Sequence, residues 1–524
     1  MKAFGLRGMV ASPHYLATAA GVAVLRRGGN AVDAAIATNS VLAVVAPEKC
    51  GIGGDLFAMV FTRRDGHLQG INGSGKAAHS ATLERVQERT GSAHMPIRGP
   101  LSVTVPGCVD AWFQLHGRYG RLEMTDILQD AISYAANGFA ATNQLARALT
   151  LSESFLHPSM PARATFWTDG AAPTEGTVIR QPALADSLRK IARGGAAEFY
   201  KGSIAREIAA SLQAIGGLLD EEDLSTHESQ WVKPIKAPYR GVDVFELPPN
   251  SQGLAALIAL RLLDGIPRRR LAEGGDCAVH VMSEALRLAY ADRDAYMTDV
   301  DHMRVAPAAF LEREYIEARA SCMGERAAPD AVPGIPGDTA YMCAADENGN
   351  LVSLIQSNFM GVGSGVMAGS TGIMLQNRGA MFSLDPDHSN AIAPGKRTLH
   401  TLMPAMAFKA KQPWLVFGTM GGSAQAQIHV QILSHLLDQD RQIDDAIDLP
   451  RFEITADAAG KPLLVMESRF SPEVIDALRT RGYAVELAGP YDSRMGHAHA
   501  IEVWNQGVFA GAADPRTHGL ALGM

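Results

Sequence analysis

Patterns typical of helices and of strands alternate along the whole chain, and this mixture restricts the fold more than any other feature of the sequence. Residues 31–45 form a run that is apolar nearly all round, as in a buried helix. Residues 56–61 form a strand-like run, and Arg64-Asp65-Gly66 is typical of a hairpin turn. Because both patterns recur on each side of a Pro- and Gly-rich loop over residues 325–338, we expect one intertwined α/β body.

The composition favours a large enzyme core and excludes several other classes of protein. The chain has 524 residues, of which 47% are hydrophobic and 19% charged, and its net charge is −8. These values exclude a disordered chain and argue against a nucleic-acid partner. The sequence has no apolar run of about 18 residues and no segment typical of a signal peptide, so we expect a cytoplasmic protein without a membrane anchor. The five cysteines are scattered and form no CxxC pair, which indicates neither a metal site nor a disulfide framework.

Capping and turn residues predict several element boundaries. A helix is expected over residues 12–27, with Ser12 as its N-cap. After Thr339 the pattern changes to strands, of which residues 340–345 and 351–356 flank an Asn-Gly hairpin turn. Residues 372–375 are predicted as a further strand.

Thr339 is the strongest candidate for a catalytic residue in the sequence. A threonine that opens a strand is ordinarily structural. If the Asp338–Thr339 bond were cut, however, the freed α-amine would titrate near ~8 and would serve as a general base for the hydroxyl of the same residue. Gly421 and Gly422 precede an apolar helix predicted over residues 424–437, where their N–H groups would stabilise an oxyanion.

The segment after Thr339 resembles the start of the small subunit in the γ-glutamyltransferase (γ-glutamyltranspeptidase) family of N-terminal nucleophile hydrolases. The resemblance covers nearly the whole chain and follows a series of ordered blocks. These are Gly28-Gly29-Asn30-Ala31-Val32-Asp33, Gly51-Ile52-Gly53-Gly54, Asp346-Glu347-Asn348-Gly349, Gly363-Ser364-Gly365, Pro394-Gly395-Lys396-Arg397, Gly421-Gly422-Ser423, Pro450-Arg451-Phe452 and Asp514-Pro515-Arg516. The resemblance implies the four-layer αββα sandwich of that superfamily.

The resemblance also implies a proenzyme that cleaves itself between Asp338 and Thr339. The products would be a large subunit of residues 1–338 and a small catalytic subunit of residues 339–524, intertwined in one structural domain. Thr339 would be the nucleophile of both processing and catalysis, and Ser357 stands where the family has a threonine that hydrogen-bonds it. Gly421 and Gly422 match the oxyanion glycines. No metal or organic cofactor is implied. Whether the heterodimer of the two subunits assembles into a homo-oligomer stays open.

Several positions that bind the γ-glutamyl group in the family are changed in this chain. They are Ser74, Phe359, Arg378, Met381, His400 and Thr401. Met381 cannot accept a hydrogen bond from a substrate ammonium as a carboxylate would, whereas the Arg378 guanidinium suits a carboxylate or a 2-oxo acid. These changes predict a pocket for a small anion that lacks a free α-amino group, as in the oxamate amidohydrolases, to which this part of the sequence is similar.

Three functions therefore stay open. The chain would cleave or transfer a γ-glutamyl or similar small acyl group, or it would hydrolyse a small anionic amide such as oxamate. Alternatively, it would be an unprocessed family member with a structural or binding role. The set of Thr339, Ser357, Gly421 and Gly422 weighs against the last alternative.

Overall fold

The computed structural model describes residues 2–156, 161–167, 170–329, 334 and 337–524, apart from the side chain of Gln506. Residues 330–333, 335 and 336 of the predicted loop lie outside the described residues. The strands are β1 (Lys2–Gly5), β2 (Gly8–Ser12), β3 (Asp55–Thr62), β4 (His67–Gly73), β5 (Phe139–Ala140), β6 (Val178–Ile179), β7 (Gln230–Val232), β8 (Ile235–Tyr239), β9 (Val242–Glu246), β10 (Asp338–Asp346), β11 (Leu351–Phe359), β12 (Ala405–Lys409), β13 (Gln412–Thr419), β14 (Phe452–Ala456), β15 (Pro462–Glu467), β16 (Ala484–Ala488), β17 (Ala498–Val503), β18 (Phe509–Ala513) and β19 (Leu520–Gly523).

The helices flank these strands throughout the chain. They are α1 (Tyr15–Arg26), α2 (Ala31–Val45), α3 (Leu83–Thr90), α4 (Cys108–Tyr119), α5 (Met124–Ile127), α6 (Gln129–Asn137), α7 (Asn143–Ser152), α8 (Pro161–Phe166), α9 (Pro182–Gly194), α10 (Ala196–Tyr200), α11 (Ser203–Ala214), α12 (Glu221–Ser225), α13 (Gly253–Asp264), α14 (Arg269–Ala272), α15 (Gly275–Tyr296), α16 (Arg313–Ala320), α17 (Gln425–Leu437), α18 (Ile443–Asp448) and α19 (Pro472–Thr480). Short 3₁₀ segments include Arg378–Met381 and Gly422–Ala424.

Two antiparallel sheets form the centre of the molecule. One has the strand order β1-β18-β17-β13-β12-β9-β8, and the other has the order β19-β2-β10-β11-β3-β4-β7. Both sheets mix strands from the two sides of residue 338, as the distribution of sequence patterns predicts. A three-stranded sheet, β14-β15-β16, lies outside this pair and was not predicted from the sequence.

The alternation of side chains along β10 shows how the layers are stacked. Tyr341, Cys343 and Ala345 belong to the apolar layer between the two sheets. Ala340 and Met342 point the other way and pack in the cluster that holds α1 and α2. A separate cluster joins the other sheet to α13, α15 and α17. The order of layers is helix, sheet, sheet, helix, which confirms the predicted αββα sandwich.

Local capping fixes α2 where the sequence predicts a buried helix. The Asn30 side chain accepts hydrogen bonds from the backbone N–H groups of Val32 and Asp33 at 2.9 and 3.0 Å. The Asp33 carboxylate in turn accepts from the Asn30 N–H at 3.0 Å. This reciprocal capping box satisfies N–H groups that a helix start leaves open, so the apolar helix can be buried along its entire length.

The start of one predicted helix and one predicted strand are wrong. The helix expected over residues 12–27 begins at Tyr15 and is capped by His14, because Ser12 is the last residue of β2, which pairs with β10 and β19. Residues 372–375 do not form a strand; isolated bridges, among them Gly53 to Leu375, hold this segment instead. Long-range pairing decides both cases, and the local sequence pattern does not contain that information.

Candidate active site

The bond predicted to be cut lies at the start of β10, in an irregular part of the ladder. Asp338 is opposite Phe359 and Ala340 is opposite Gln356. Thr339 therefore faces two residues of β11 instead of one, which is a β-bulge. Thr339 is only 1% exposed. Phe359 has a φ of 81°, in the left-handed region that is strained for a bulky side chain.

Ser357 holds the carbonyl group of the predicted scissile bond. Its Oγ donates a hydrogen bond of 2.5 Å to the Asp338 carbonyl oxygen and accepts one of 2.7 Å from the Phe359 N–H. The second bond leaves the hydroxyl proton of Ser357 free to point at Asp338. The predicted partner of Ser357 was the nucleophile Thr339, whereas in the continuous chain its partner is the carbonyl of the preceding residue.

The side chain of Asp338 is also held close to the bulge. Its Oδ2 accepts from the Gly361 N–H at 3.1 Å. Burial raises the pKa of Asp338 above its usual range, although Lys49, the Gly361 N–H and Arg98 act in the opposite direction. The predicted cleavage site is therefore fixed by its carbonyl oxygen, its side chain and its strand pairing.

Gly421 and Gly422 form the turn between β13 and α17. Their φ values of 134° and 55° lie in the region where a side chain is strained, which explains the choice of glycine. The turn continues into a 3₁₀ segment and then α17, so its N–H groups stand at the positive end of a helix. A Cβ on Gly337 would lie 3.1 Å from the Gly422 Cα, which places the turn against the chain just before the cleavage site.

Gln252 connects this glycine turn to the predicted substrate residues. Its Nε2 donates to the carbonyl oxygens of Gly422 at 3.0 Å and of Thr401 at 2.9 Å. Its Oε1 accepts from Arg293 Nη1 at 3.1 Å. The carbonyl of Ser423 accepts from the Tyr290 hydroxyl. Sequence analysis did not identify Gln252; the only local signal is a polar residue directly before the apolar helix α13.

Arg378 is buried beside this network and has an unused donor. The residue is 1% exposed, its Nη1 donates to Thr401 Oγ1 at 3.0 Å, and its guanidinium carbon lies 4.0 Å from the centre of the Phe359 ring. Nη2 has no hydrogen-bond partner among the residues that the structure describes. Burial lowers the pKa of Arg378 to about 9, against the attraction of Asp55. Since a buried guanidinium N–H without a partner is costly, this atom is a candidate ligand contact.

His400 is paired with Asp55, a residue that the sequence did not single out. His400 Nε2 lies 3.0 Å from Asp55 Oδ2, while His400 Nδ1 accepts from the Leu402 N–H at 3.2 Å. The ring proton is therefore on Nε2 and is donated to Asp55. Burial raises the pKa of Asp55 to about 7, in spite of Arg378, and burial together with Arg378 keeps the pKa of His400 far below its usual value. The signal for Asp55 was its place directly after the glycine block at residues 51–54.

The remaining predicted residues lie at the edge of this cluster. The Met381 side chain packs against the helices of the α13 layer, and its carbonyl accepts from Asn390 Nδ2 at 2.7 Å. The Ser74 hydroxyl donates to Asn72 at 2.7 Å, and its carbonyl accepts from Arg397 Nε at 3.0 Å. Arg397 thus adds a second buried cation beside Ser74.

A cavity of about 410 Å³ opens on the outer side of the cleavage site. Gly337, Asp338, Met420 and Gly421 line it on one side. The opposite wall consists of side chains from the three-stranded sheet β14-β15-β16 and from the segment that follows it. The candidate site therefore has a closed flank at Arg378 and an open flank at this cavity.

Two kinds of feature are absent from the described residues. None of their helices is both long and apolar enough to pass through a membrane. Within the same residues, no group of three or more His, Cys, Asp or Glu side chains is arranged to hold a metal ion.

The αββα sandwich, with a buried threonine at the start of a central strand and a glycine turn beside it, is the architecture of the N-terminal nucleophile hydrolases. The gamma-glutamyltranspeptidase family model matches residues 17–524, and the chain belongs to that family. This confirms the resemblance seen in the sequence and makes the protein an amidohydrolase or acylase of that family.

Similar proteins cover the chain from end to end. It is 39% identical to the glutathione hydrolase-like YwrD proenzyme of Bacillus subtilis, over 99% of both chains. It is 36% identical to the oxamate amidohydrolase proenzyme of Klebsiella pneumoniae, over 98% of both chains. The crystal structure of the cephalosporin acylase from Bacillus halodurans superposes with a TM-score of 0.94 at 39% identity, covering 100% of this chain and 97% of that one.

Proposed function

We propose that this protein cuts its own Asp338–Thr339 peptide bond and then uses Thr339 to hydrolyse a small anionic acyl amide. The observation that carries the proposal is the 2.5 Å hydrogen bond from Ser357 to the Asp338 carbonyl oxygen. That carbonyl is the group that the neighbouring Thr339 hydroxyl has to attack. A donor on its oxygen withdraws electron density from the carbon and stabilises the charge that develops during attack.

In the processing step, Thr339 Oγ attacks the Asp338 carbonyl carbon. The bond from this carbon to the Thr339 nitrogen breaks, and the nitrogen takes the proton that the Thr339 hydroxyl gives up, which makes it the free α-amine. The Asp338 acyl group is then an ester on Thr339 Oγ. Water hydrolyses this ester, which gives an Asp338 carboxylate and a free Thr339 hydroxyl. The names of both relatives include the word proenzyme, which supports such a step.

In the catalytic step, the freed α-amine of Thr339 takes the proton of its own hydroxyl as Oγ attacks the substrate carbonyl. The N–H groups of Gly421 and Gly422 stabilise the resulting oxyanion. The amine of the substrate leaves with a proton, and an acyl ester remains on Thr339. Water releases the acyl group as an acid, or an amine takes it up in a transfer reaction.

The closed flank of the site favours a small anionic acyl group. Arg378 offers an unpaired N–H inside a fully buried cluster, and Thr401 lies 3.0 Å from its other nitrogen. Asp55, the carboxylate that acts on the charge of Arg378, already accepts hydrogen bonds from His400 and from the Gly75 N–H. A substrate ammonium would have to compete with these donors beside the cationic Arg378, which favours an amide such as oxamate over a γ-glutamyl compound.

The γ-glutamyl alternative stays open because the family and the Bacillus subtilis relative point to glutathione-type substrates. Release of amine from γ-glutamyl-p-nitroanilide, compared with release of ammonia from oxamate, separates the two. Faster turnover of the γ-glutamyl compound would contradict the preference for an acyl group without an α-amino group that we infer from Arg378.

Denaturing gel electrophoresis tests the nucleophile. The wild type is expected to give two bands, with the shorter chain beginning at Thr339, and Thr339→Ser should be cut as well because it keeps the hydroxyl. Thr339→Ala should stay a single full-length band without amidase activity. A wild type that also remains full length would refute the proposal.

A further inference from the structure

The amine half of the substrate has to lie on the open flank of the site. If the acyl group binds at Arg378, its surroundings are closed, because Arg378, Thr401 and Phe359 are all buried. The cavity beyond Gly421 has an exposed rim, formed by Glu486, Ser493 and Arg494. A leaving amine can reach solvent through this cavity, and an incoming acceptor can enter through it. This assignment rests on the proposed function.

The cavity walls combine apolar surface with charged groups. Met420, Leu463 and Val465 supply an apolar surface suited to a short aliphatic chain. The charged side chains in the lining, besides Asp338 at the cleavage site, are Glu453, Glu486 and Arg494.

The one cation among them is already engaged. Arg494 Nη1 lies 3.4 Å from the Glu486 carboxylate, and its Nη2 lies 3.2 Å from Asp492. Its charge is therefore shared between two other carboxylates.

Glu453 makes no salt bridge with any described residue. Within the described part of the chain, no Lys, Arg or His side chain comes within 4.0 Å of its carboxylate. Burial raises the pKa of Glu453 to about 7, with only partial opposition from Arg494. A carboxylate in this situation is stabilised by a cation brought in by a ligand.

We propose that the cavity binds the amine portion of the substrate and that Glu453 selects amines that carry a second, positively charged group. A diamine or another basic amine fits this description. Its aliphatic part packs on Leu463 and Val465, its far ammonium pairs with Glu453, and its near nitrogen belongs to the amide that Thr339 attacks.

The test uses the processed full-length protein and amides of one acyl group that the wild type cleaves. The leaving amines are butane-1,4-diamine, butylamine and 4-aminobutanoate, which differ in the charge at the far end. We expect kcat/KM at pH 8 to be about 10-fold higher for the diamine amide than for the butylamide, the size of one charge-assisted hydrogen bond. The 4-aminobutanoate amide should be the poorest of the three.

Glu453→Gln should bring the ratio of diamine amide to butylamide close to one while the chain is still cut before Thr339, which shows that the variant folds. Glu486→Gln is the matched control and should keep the preference, because Glu486 is already paired with Arg494. In the wild type the ratio should fall as the pH drops through about 7, whereas in Glu453→Gln it should not change with pH.

Equal ratios in wild type and Glu453→Gln would overturn this assignment and leave the proposed function intact. A wild type that cleaves no acyl amide at all would instead refute the proposed function, and the assignment of the cavity with it.

Discussion

Ser357 is the side chain in direct contact with the carbonyl of the predicted scissile bond, so its replacement tests the processing chemistry. Ser357→Ala removes the donor to the Asp338 carbonyl oxygen. The loss of one such donor typically slows a reaction by about 10²–10³-fold, and we expect self-cleavage to slow by that order. The measurement is the half-time for conversion of freshly translated precursor into two chains.

Ser357→Thr is the matched variant, because it keeps the hydroxyl and matches the family residue at this position. It should cleave at close to the wild-type rate. If Ser357→Ala is cut as fast as Ser357→Thr, the hydrogen bond to Asp338 has no part in processing.

Replacement of Arg378 tests substrate recognition separately from processing. Arg378→Met removes the unpaired N–H and its charge but keeps a long apolar side chain beside Phe359. We expect KM for an anionic amide to rise about 10–100-fold, since a hydrogen bond to a charged group contributes about 1.5–3 kcal/mol. Cleavage before Thr339 should continue.

Arg378→Lys gives the graded control for this experiment. It keeps a positive charge but lacks the planar pair of N–H donors of the guanidinium, so we expect a KM between those of the wild type and Arg378→Met. Loss of self-cleavage in both variants would show that Arg378 supports the fold of the site and does not recognise substrate.

At the scale of elements, Gln252 joins the start of α13 to the glycine turn before α17. It donates to the carbonyls of Gly422 and Thr401, and this fixes the peptide planes around the glycine turn. Gln252→Met keeps the shape of the side chain and removes both bonds. We expect kcat to fall about 10-fold or more, because the N–H donors of the glycine turn would be held less firmly in place. The change in KM should be smaller.

Tyr290→Phe makes a useful comparison, because it removes the hydrogen bond from the Tyr290 hydroxyl to the Ser423 carbonyl. It should reduce kcat less than Gln252→Met does. If Gln252→Met changes KM and leaves kcat unaltered, Gln252 orders the Thr401 side of the pocket instead of the glycine turn.

Elements that depend on local signals were predictable from the sequence. The Asn30 capping box, the Asn-Gly turn between β10 and β11, and the glycines before α17 all act within a few residues. Strand β2 was missed because its partners, β10 and β19, lie far along the chain. Strands β14 to β16 were missed although β14 and β15 pair as neighbours in the sequence. Ser12 shows the competition directly, since a good capping residue ends a strand once β19 and β10 pair with that segment.

The residues of the candidate site also fall into two groups, those with a local signal in the sequence and those without one. Thr339, Ser357 and the two glycines stand out as motifs in the sequence. Asp55 and Gln252 act through partners about 345 and 149 residues away along the chain, and only the fold brings them together. Chemistry that needs such contacts cannot be read from spacing, because no periodic pattern connects the residues.

At the scale of the whole molecule, a buried ionic network ties the C-terminal segment to the three-stranded sheet. Asp514 pairs with Arg451 at 2.7 Å and with Arg516 at 3.1 Å, and Arg516 pairs with Glu467 at 2.7 Å. Burial alone would raise the pKa of Asp514, but Arg451 and Arg516 outweigh it and lower the pKa to about 2. The network therefore stabilises the fold above about pH 4 and loses this contribution as the pH falls through about 2.

Asp514→Asn should accordingly reduce the free energy of unfolding at pH 7 by about 3 kcal/mol, since it removes the carboxylate that pairs with the buried Arg451 and leaves Arg516 with Glu467 alone. The difference from wild type should shrink toward pH 2. Denaturant midpoints measured across this range provide the test. Asp186→Asn, which removes an exposed partner of Arg189, should change the midpoint little; an equal effect of both substitutions would contradict the role of the network.

The two chains expected from cleavage alternate as neighbours inside both main sheets. Strand β10 pairs with β2, β11 with β3, β12 with β9 and β18 with β1, so each sheet contains ladders that join residues 1–338 to residues 339–524. Separation of the chains would break backbone hydrogen bonds in both sheets and expose the apolar layer between them. We therefore expect the cut protein to run as two chains on a denaturing gel but as one species in native mass spectrometry, with the mass calculated for the continuous wild-type chain plus one water per copy. Dissociation under native conditions would show that the ladders across the cut do not hold the sandwich together.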